Sequence, residues 1–319
     1  MKAVFGTSEA WRAVAMLHSQ RPRFSTGLPA WDDLAAGAER AAGAERKEAG
    51  GGLVWGAVHE LLYGRAFGER PGGAGQAEGA GIAVGRGSER GGGPPWFVAA
   101  VLARAALRQC VDACKPVVWF DGMEDVDAAG KGGGGKAGVE RVFPPALVDM
   151  GIPEGRLVVV RTRTVSQRLW GIAECLRCEA VAAVVAEVGT LSRLWARRLQ
   201  LAAERGGGVG LLTRHVRKAG VYAAATRWRV WPMPVKEVEG GGEVEFGGGL
   251  GGELVQRWAV ARVRGTLRGG VWGGMEDGAL VLEVWRGLGD AGAAGDVRAV
   301  PLVAGGAAGA QGEAGRRFG

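Results

Sequence analysis

Five groups of residues have types and spacings that could do chemistry. The run His59-Glu60-Leu61-Leu62-Tyr63 ends on Gly64. A glycine closing an apolar strand is where a phosphate-cradling loop begins, completed by a lysine on the phosphates and a Ser or Thr on Mg²⁺. Here no lysine stands between Gly64 and Pro95, only a glycine-rich tract. "GKGGGGKA", Gly130 to Ala137, fits G-x-x-x-x-G-K but offers alanine where the metal-holding hydroxyl should be. Its context also disagrees: a polar, acidic stretch from Asp121 to Ala129 separates it from the preceding strand, and two prolines soon follow. A phosphate loop follows its strand directly and opens a helix. The reading favoured for this segment is therefore a Gly/Lys tract without a phosphate.

Glu187 closes the apolar run "AVVAEVGTL", the position of a carboxylate that would hold Mg²⁺ through water. A solvated or arginine-paired carboxylate at a strand end fits equally well. Cys175 and Cys178 form one C-x-x-C, and Cys110 with Cys114 could supply the other half of a zinc site. Both pairs lie on apolar helical stretches with few histidines to help, which favours buried core cysteines. Finally, basic residues gather in the second half: Arg214, Arg217 and Lys218 after "VGLLT", then Arg227, Arg229, Arg257, Arg262, Arg264 and Arg268 among tryptophans. Arginines with aromatics grip phosphates and stack on bases. In an alternating strand they are equally the solvated face opposite buried tryptophans.

The elements that must position these groups alternate. Helices are expected at 8–19, over a short piece after the turn at Gly27-Leu28-Pro29, and at 95–113, 143–150, 165–177 and 192–204. Strands are expected at 53–62 (with a turn at Gly56), 116–120, 156–161, 180–188 and 209–213. Continuously apolar strands alternating with helices predict an α/β fold, with a mostly parallel sheet covered on both faces. After Ala223 the pattern becomes alternating apolar and polar in "TRWRVWPMP", "RWAVARVRG" and "ALVLEVWRG", which reads as an appended antiparallel hairpin.

Sixty glycines among 319 residues far exceed the usual share of roughly 7%. They cluster, so disordered insertions are expected at about 37–52, 64–95, 127–138 and 236–252, and a disordered tail at 287–319. The expected organisation is an N-terminal helix or arm (1–23), then one core (24–286). The formal charge of +7 leaves contact with a polyanion open. There is no secretory apolar region near Met1 and no apolar run of the roughly 18 residues a membrane span needs, so a cytoplasmic protein without membrane contact is expected. Four cysteines do not make a disulfide scaffold.

The order of these pieces resembles RecA-fold (P-loop NTPase-type) proteins. "GLPAWDDLAAG" through "GGLVWGAVHELLYG" resembles their entry, "PVVWFDGMED" the next core strand, and "FPPALVDM" through "VVAEVGTL" the stretch to the Walker B strand. Within that group, "LPAWDD", "GAVHE", "ECLRCEAVAAVV", "RRLQLAAE", "GLLTR" and "AATRWRV" are similar to phrases of the ImuA family, RecA-like accessory proteins of bacterial mutagenic translesion synthesis. The resemblance covers most of residues 24 to 265. It implies a role in the SOS response and DNA repair, with an ImuB-like Y-family-like protein, RecA and an error-prone polymerase complex as partners; DNA contact stays open.

The same resemblance implies that the ATP site is degenerate. No Gly-Lys-Thr follows Gly64; Asp121-Gly122-Met123 stands where the catalytic glutamate belongs, with Glu124 one place late. Glu187 takes the Walker B place, and Thr213-Arg214 the strand end that carries the sensing glutamine. Positioning and charge stabilisation supply nearly all the catalysis in phosphoryl transfer. The expectation is therefore a non-catalytic protein with no catalytic residue, no metal and no required cofactor, in which Gly64 and Glu187 mark an eroded nucleotide site. Arg214, Arg217, Lys218, Arg227, Arg229 and Arg264 are the candidate DNA contacts. The alternative is an active RecA-type ATPase that binds DNA in recombination or repair.

Overall fold

The computed structural model describes residues 21–40, 51–64, 94–121, 142–220, 224–233, 252–263, 275–287 and 296–301. The expected helix at 8–19, the "GKGGGGKA" segment, Glu124, Arg264 and Arg268 lie outside them. The helices are α1 (Pro29–Arg40), α2 (Trp96–Gln109), α3 (Pro144–Asp149), α4 (Val165–Arg177) and α5 (Arg193–Gly206). A small antiparallel pair, β1 (Arg23–Phe24) and β2 (Leu53–Val54), opens the described chain.

The main sheet contains β3 (Ala57–Tyr63), β4 (Val117–Phe120), β5 (Leu157–Val160), β6 (Ala183–Glu187), β7 (Val209–His215), β8 (Thr226–Met233), β9 (Gly252–Val263), β10 (Met275–Gly287) and β11 (Asp296–Pro301). Their spatial order is β11-β10-β9-β8-β3-β7-β6-β4-β5. From β8 to β5 all neighbours are parallel, and from β8 to β11 all are antiparallel.

The apolar runs form strands buried on both faces. Leu61, Trp119, Val185 and Leu211 point into a core shared with α1, α2 and α3, while Val58, Val118, Val184 and Leu212 point into one shared with α4 and α5. Trp31 of α1 meets Trp228 of β8 edge-on, with ring centroids 5.4 Å apart. The helices divide between the faces because the chain first steps outward from β3 to β4 and β5, then returns through β6 and β7. With right-handed crossovers, reversing the direction of travel moves the connecting helix to the other face.

Three expectations change. The alternating strand β8 is not part of a purely antiparallel hairpin: it pairs in parallel with β3, His59 opposite Thr226, and only its other edge takes antiparallel β9. Alternation reports which face is covered, not strand direction. Next, α1 runs on to Arg40, into the expected 37–52 insertion. Finally, β11 forms at 296–301, inside the expected tail, as the partner of β10.

Candidate functional site

In an open parallel sheet, ligands sit beyond the carboxyl ends of the strands, where neighbouring connections leave to opposite faces. The chain from β4 leads to α3 on one face and the chain from its neighbour β6 to α5 on the other, and the carboxyl edge of the sheet carries Tyr63, Gly64, Asp121, Glu187, Thr213 and His215. The crossover helix α2 runs back against the strands, which puts its N-terminus toward this edge. Pro95 precedes it and no side chain caps it.

Within the edge, the protein's own groups bind one another. Gly64 has φ +84°, a left-handed conformation suited to glycine, and a Cβ there would fall 2.3 Å from Nε2 of His215. The imidazole thus lies against the point where a phosphate loop would begin. It also meets the Tyr63 ring edge-on at 5.4 Å, and its Nδ1 accepts the backbone N–H of Arg217 (3.2 Å). Burial, then the cations Arg217 and Lys218, hold the His215 pKa below the ordinary histidine range; Glu187 opposes them. The Tyr63 hydroxyl donates to Oε1 of half-buried Glu187.

Asp121, buried at the end of β4, is also engaged. Its Oδ1 accepts the Val142 N–H (2.8 Å), and its Oδ2 pairs with Nε of Arg161 (3.1 Å). Arg168 of α4 ties the two strand ends together: Nε donates to the Glu187 carbonyl (2.8 Å), Nη2 to that of Phe120 (3.1 Å) and Nη1 to that of Asp121. Burial lowers its pKa, against the pull of Glu187 and Asp121. The Thr213 hydroxyl, buried beside Glu187 in the ladder, has no hydrogen-bond partner among the described residues.

The candidate DNA contacts divide sharply. Arg214 and Arg227 are fully buried and share the carboxylate of Glu60 on the central strand β3. Nη1 of Arg214 lies 2.7 Å from Oε1, and Nε of Arg227 lies 2.7 Å from Oε2. Arg214 also donates to the carbonyls of Lys218 (2.7 Å) and Gly189 (3.3 Å). In this arrangement neither arginine faces a phosphate backbone. A guanidinium inside an apolar sheet must be paired, and Glu60 supplies the pair. Arg229 is half-buried with its guanidinium over the Trp231 ring at 5.4 Å. Arg217 and Lys218, on the turn Val216–Lys218, are exposed. Of the six candidates, these two are the exposed ones among the described residues.

Sequence reasoning missed Glu60, which was read inside an apolar run. The available signal was an acid at mid-strand, where only a paired charge is tolerated. It also missed His59, whose ring nitrogens bond Thr226 Oγ1 (2.7 Å) and the Val54 carbonyl (3.0 Å).

The cysteines divide: Cys110 and Cys175 are half-buried and pack against the two core clusters, while Cys114 and Cys178 are exposed. Cys110 and Cys178 are the residues on which the chain leaves α2 and α4, and of the two Cys178 is exposed. Burial, and the nearby Cys178 and Glu174, push the Cys175 thiol up, away from the reactive thiolate. No cluster of three or more metal-binding side chains occurs among the described residues. Nor is any described helix long and apolar enough to cross a membrane.

No protein-family model matches the chain. Two curated relatives, both named Protein ImuA and from Caulobacter vibrioides (strains NA1000 / CB15N and ATCC 19089 / CIP 103742 / CB 15), are each 36% identical over 104 residues. The match takes in 29% of this chain and 42% of each relative, so the chain spans less than half the length of the curated relatives it matches. It supports the ImuA resemblance read from the sequence phrases. Among solved structures, SulA from Pseudomonas aeruginosa superposes with a TM-score of 0.28 at 17% identity, covering 38% of this chain and 86% of that one. A superposition that loose does not establish a common fold.

Proposed function

We propose that this protein is a non-catalytic, RecA-like accessory factor in DNA-damage-induced mutagenesis and translesion synthesis. It works through contacts with an ImuB-like protein, RecA and an error-prone polymerase complex. The homology to Protein ImuA points to the pathway. The observation that favours contact over catalysis is the His215 ring seated against Gly64, in a chain with no lysine from there to Pro95. What speaks against Mg-ATP is that no phosphate-loop lysine follows Gly64 before Pro95, and that the side chains of Glu187 and Asp121 are engaged by Tyr63, Arg161 and the Val142 amide.

A second reading, a working ATPase, draws on the uncapped N-terminus of α2 and the orphaned Thr213 hydroxyl at the same edge. Calorimetry of the full chain with ATP and Mg²⁺ separates the two. The accessory reading expects no measurable heat of binding. Micromolar affinity, about −8 kcal/mol, overturns the eroded-site argument. Co-purification from DNA-damaged cells tests the partners: recovery of neither a Y-family-like protein nor RecA sinks the accessory role.

A further inference from the structure

The helix α5 is built with two working faces. Its inward face, Ala196, Leu199, Ala202 and Ala203, packs on the sheet. Its outward face should then be uniformly polar. Instead Leu194 is 76% exposed and Leu201 50% exposed, with exposed Arg197, Arg198 and Arg205 around them. At about 3.6 residues per turn, Leu194, Arg198, Leu201 and Arg205 fall on one line along the helix. Leucine and arginine alternate along it at i, i+4, i+7 and i+11.

The cations are placed rather than free-swinging at one point at least, since the Arg198 guanidinium lies 4.9 Å above the Trp195 ring. The helix's one acid, Glu204, is turned away to Arg21 (3.2 Å) and Gln200 (3.0 Å). The seam is therefore basic and apolar, without local neutralisation along the helix.

We infer that the outward seam of α5 is a docking surface for an acidic amphipathic helix of a partner protein. Apolar side chains of the partner cover Leu194 and Leu201, and its carboxylates meet Arg198 and Arg205. Spacings of four and three residues are what a second helix presents along one stripe. A nucleic-acid backbone would satisfy the arginines but leave both leucines against phosphate and sugar, with no apolar surface to bury. The seam is on the outward face of α5, away from the sheet, and the inference stands whether or not ATP binds at the carboxyl edge.

The test is fluorescence anisotropy of the full chain with a labelled helical peptide of about 18 residues, longer than the roughly 16 Å seam at 1.5 Å per residue. The peptide carries leucines at seven-residue spacing flanked by glutamates. The wild-type chain is expected to bind it and to ignore a scrambled peptide of the same composition. Leu194→Ser with Leu201→Ser, and separately Arg198→Glu with Arg205→Glu, are each expected to weaken binding about tenfold or more. Both pairs lie on the surface, and circular dichroism checks that the fold is kept. The charge-reversed variant is expected to take up the same peptide with lysines in place of glutamates. Failure of the wild type to bind the acidic peptide overturns the inference. So does binding that is insensitive to the leucine pair, or displacement of the peptide by a single-stranded oligonucleotide whose own binding depends on the arginines alone.

Discussion

Glu60 sits at the centre of β3, 2% exposed, with one guanidinium on each carboxylate oxygen. Each arginine comes from a flanking strand, Arg214 from β7 and Arg227 from β8, so this one side chain links three adjacent strands at the middle of the sheet. The link is an obligation as much as a gain. Taking three charges out of water is costly, and the attraction among them repays the cost only while all three are present. Glu60→Gln keeps the shape and removes the charge both arginines share. The expected loss is about 3–5 kcal/mol, read as a fall in Tm on thermal denaturation; a Tm unchanged from wild type would show that the arginines are neutralised elsewhere.

His215 gives a second prediction at this scale. Its folded pKa is depressed, first by burial and then by Arg217 and Lys218, so the folded state resists a proton the unfolded chain accepts. Stability from this group is present above the ordinary histidine value of 6.5 and is lost as pH falls through and below it. His215→Asn should flatten the decline in stability between neutral and mildly acid pH, measured by urea denaturation at a series of pH values. These residue-level facts were largely illegible beforehand. An acid in "HELL" and arginines in "GLLTR" and "TRWRV" each have a reasonable solvated reading. Only strand order brings residues more than 150 positions apart onto one carboxylate.

Elements were legible in proportion to how local their determinants are. The expected span of α4 matches the observed Val165–Arg177, and that of α5 differs little from Arg193–Gly206. Both begin on a hydroxyl that caps a backbone N–H, Thr164 for Gln167 (3.1 Å) and Ser192 for Trp195 (3.3 Å), and such caps are written in the sequence itself. The direction of β8 was not legible, because pairing in parallel with β3 is decided by a strand far earlier in the chain.

The "GGG" that ends α5 shows where local reading stops. It reads only as a turn, yet its residues do different things. Gly207 takes φ +73° with nothing within 4 Å of a Cβ, so it serves backbone conformation alone. Gly206 lies where a Cβ would come 2.1 Å from the Leu176 carbonyl oxygen and 2.7 Å from the Arg177 carbonyl carbon, so it lets the end of α5 press on the end of α4. Gly207→Ala should cost about 1 kcal/mol of left-handed strain. Gly206→Ala must move backbone against backbone and should cost more, about 2–3 kcal/mol. Urea denaturation of the two variants side by side checks the order; equal costs would mean the helix ends part easily.

At the scale of the molecule, the sheet joins two halves with different pairing through one strand. The parallel half was legible as a class, since continuously apolar strands alternating with helices have few other ways to hide both faces. The antiparallel half was legible as strands appended within one core, but not which of its residues pack into the shared interior. The structure identifies them: Val260 of β9 and Leu280 and Leu282 of β10 join the cluster around Trp228 and Trp31. Arg262 of β9 lies with its guanidinium 5.9 Å from the Trp228 ring centroid and donates to the Ala35 carbonyl of α1 (2.6 Å).

If β9 to β11 were only an appendage, a chain ending at Met233 would keep the parallel core intact. If they complete the core, the truncation opens the outer edge of β8 and uncovers Trp228, which is 0% exposed in the whole chain. An open edge strand beside an uncovered apolar face is a template for association. The truncated chain is therefore expected to lose its sharp thermal transition, to bind a hydrophobic dye and to sediment as aggregates. A soluble monomer with an unchanged Tm would show that the parallel half stands alone and that the antiparallel strands serve something other than stability.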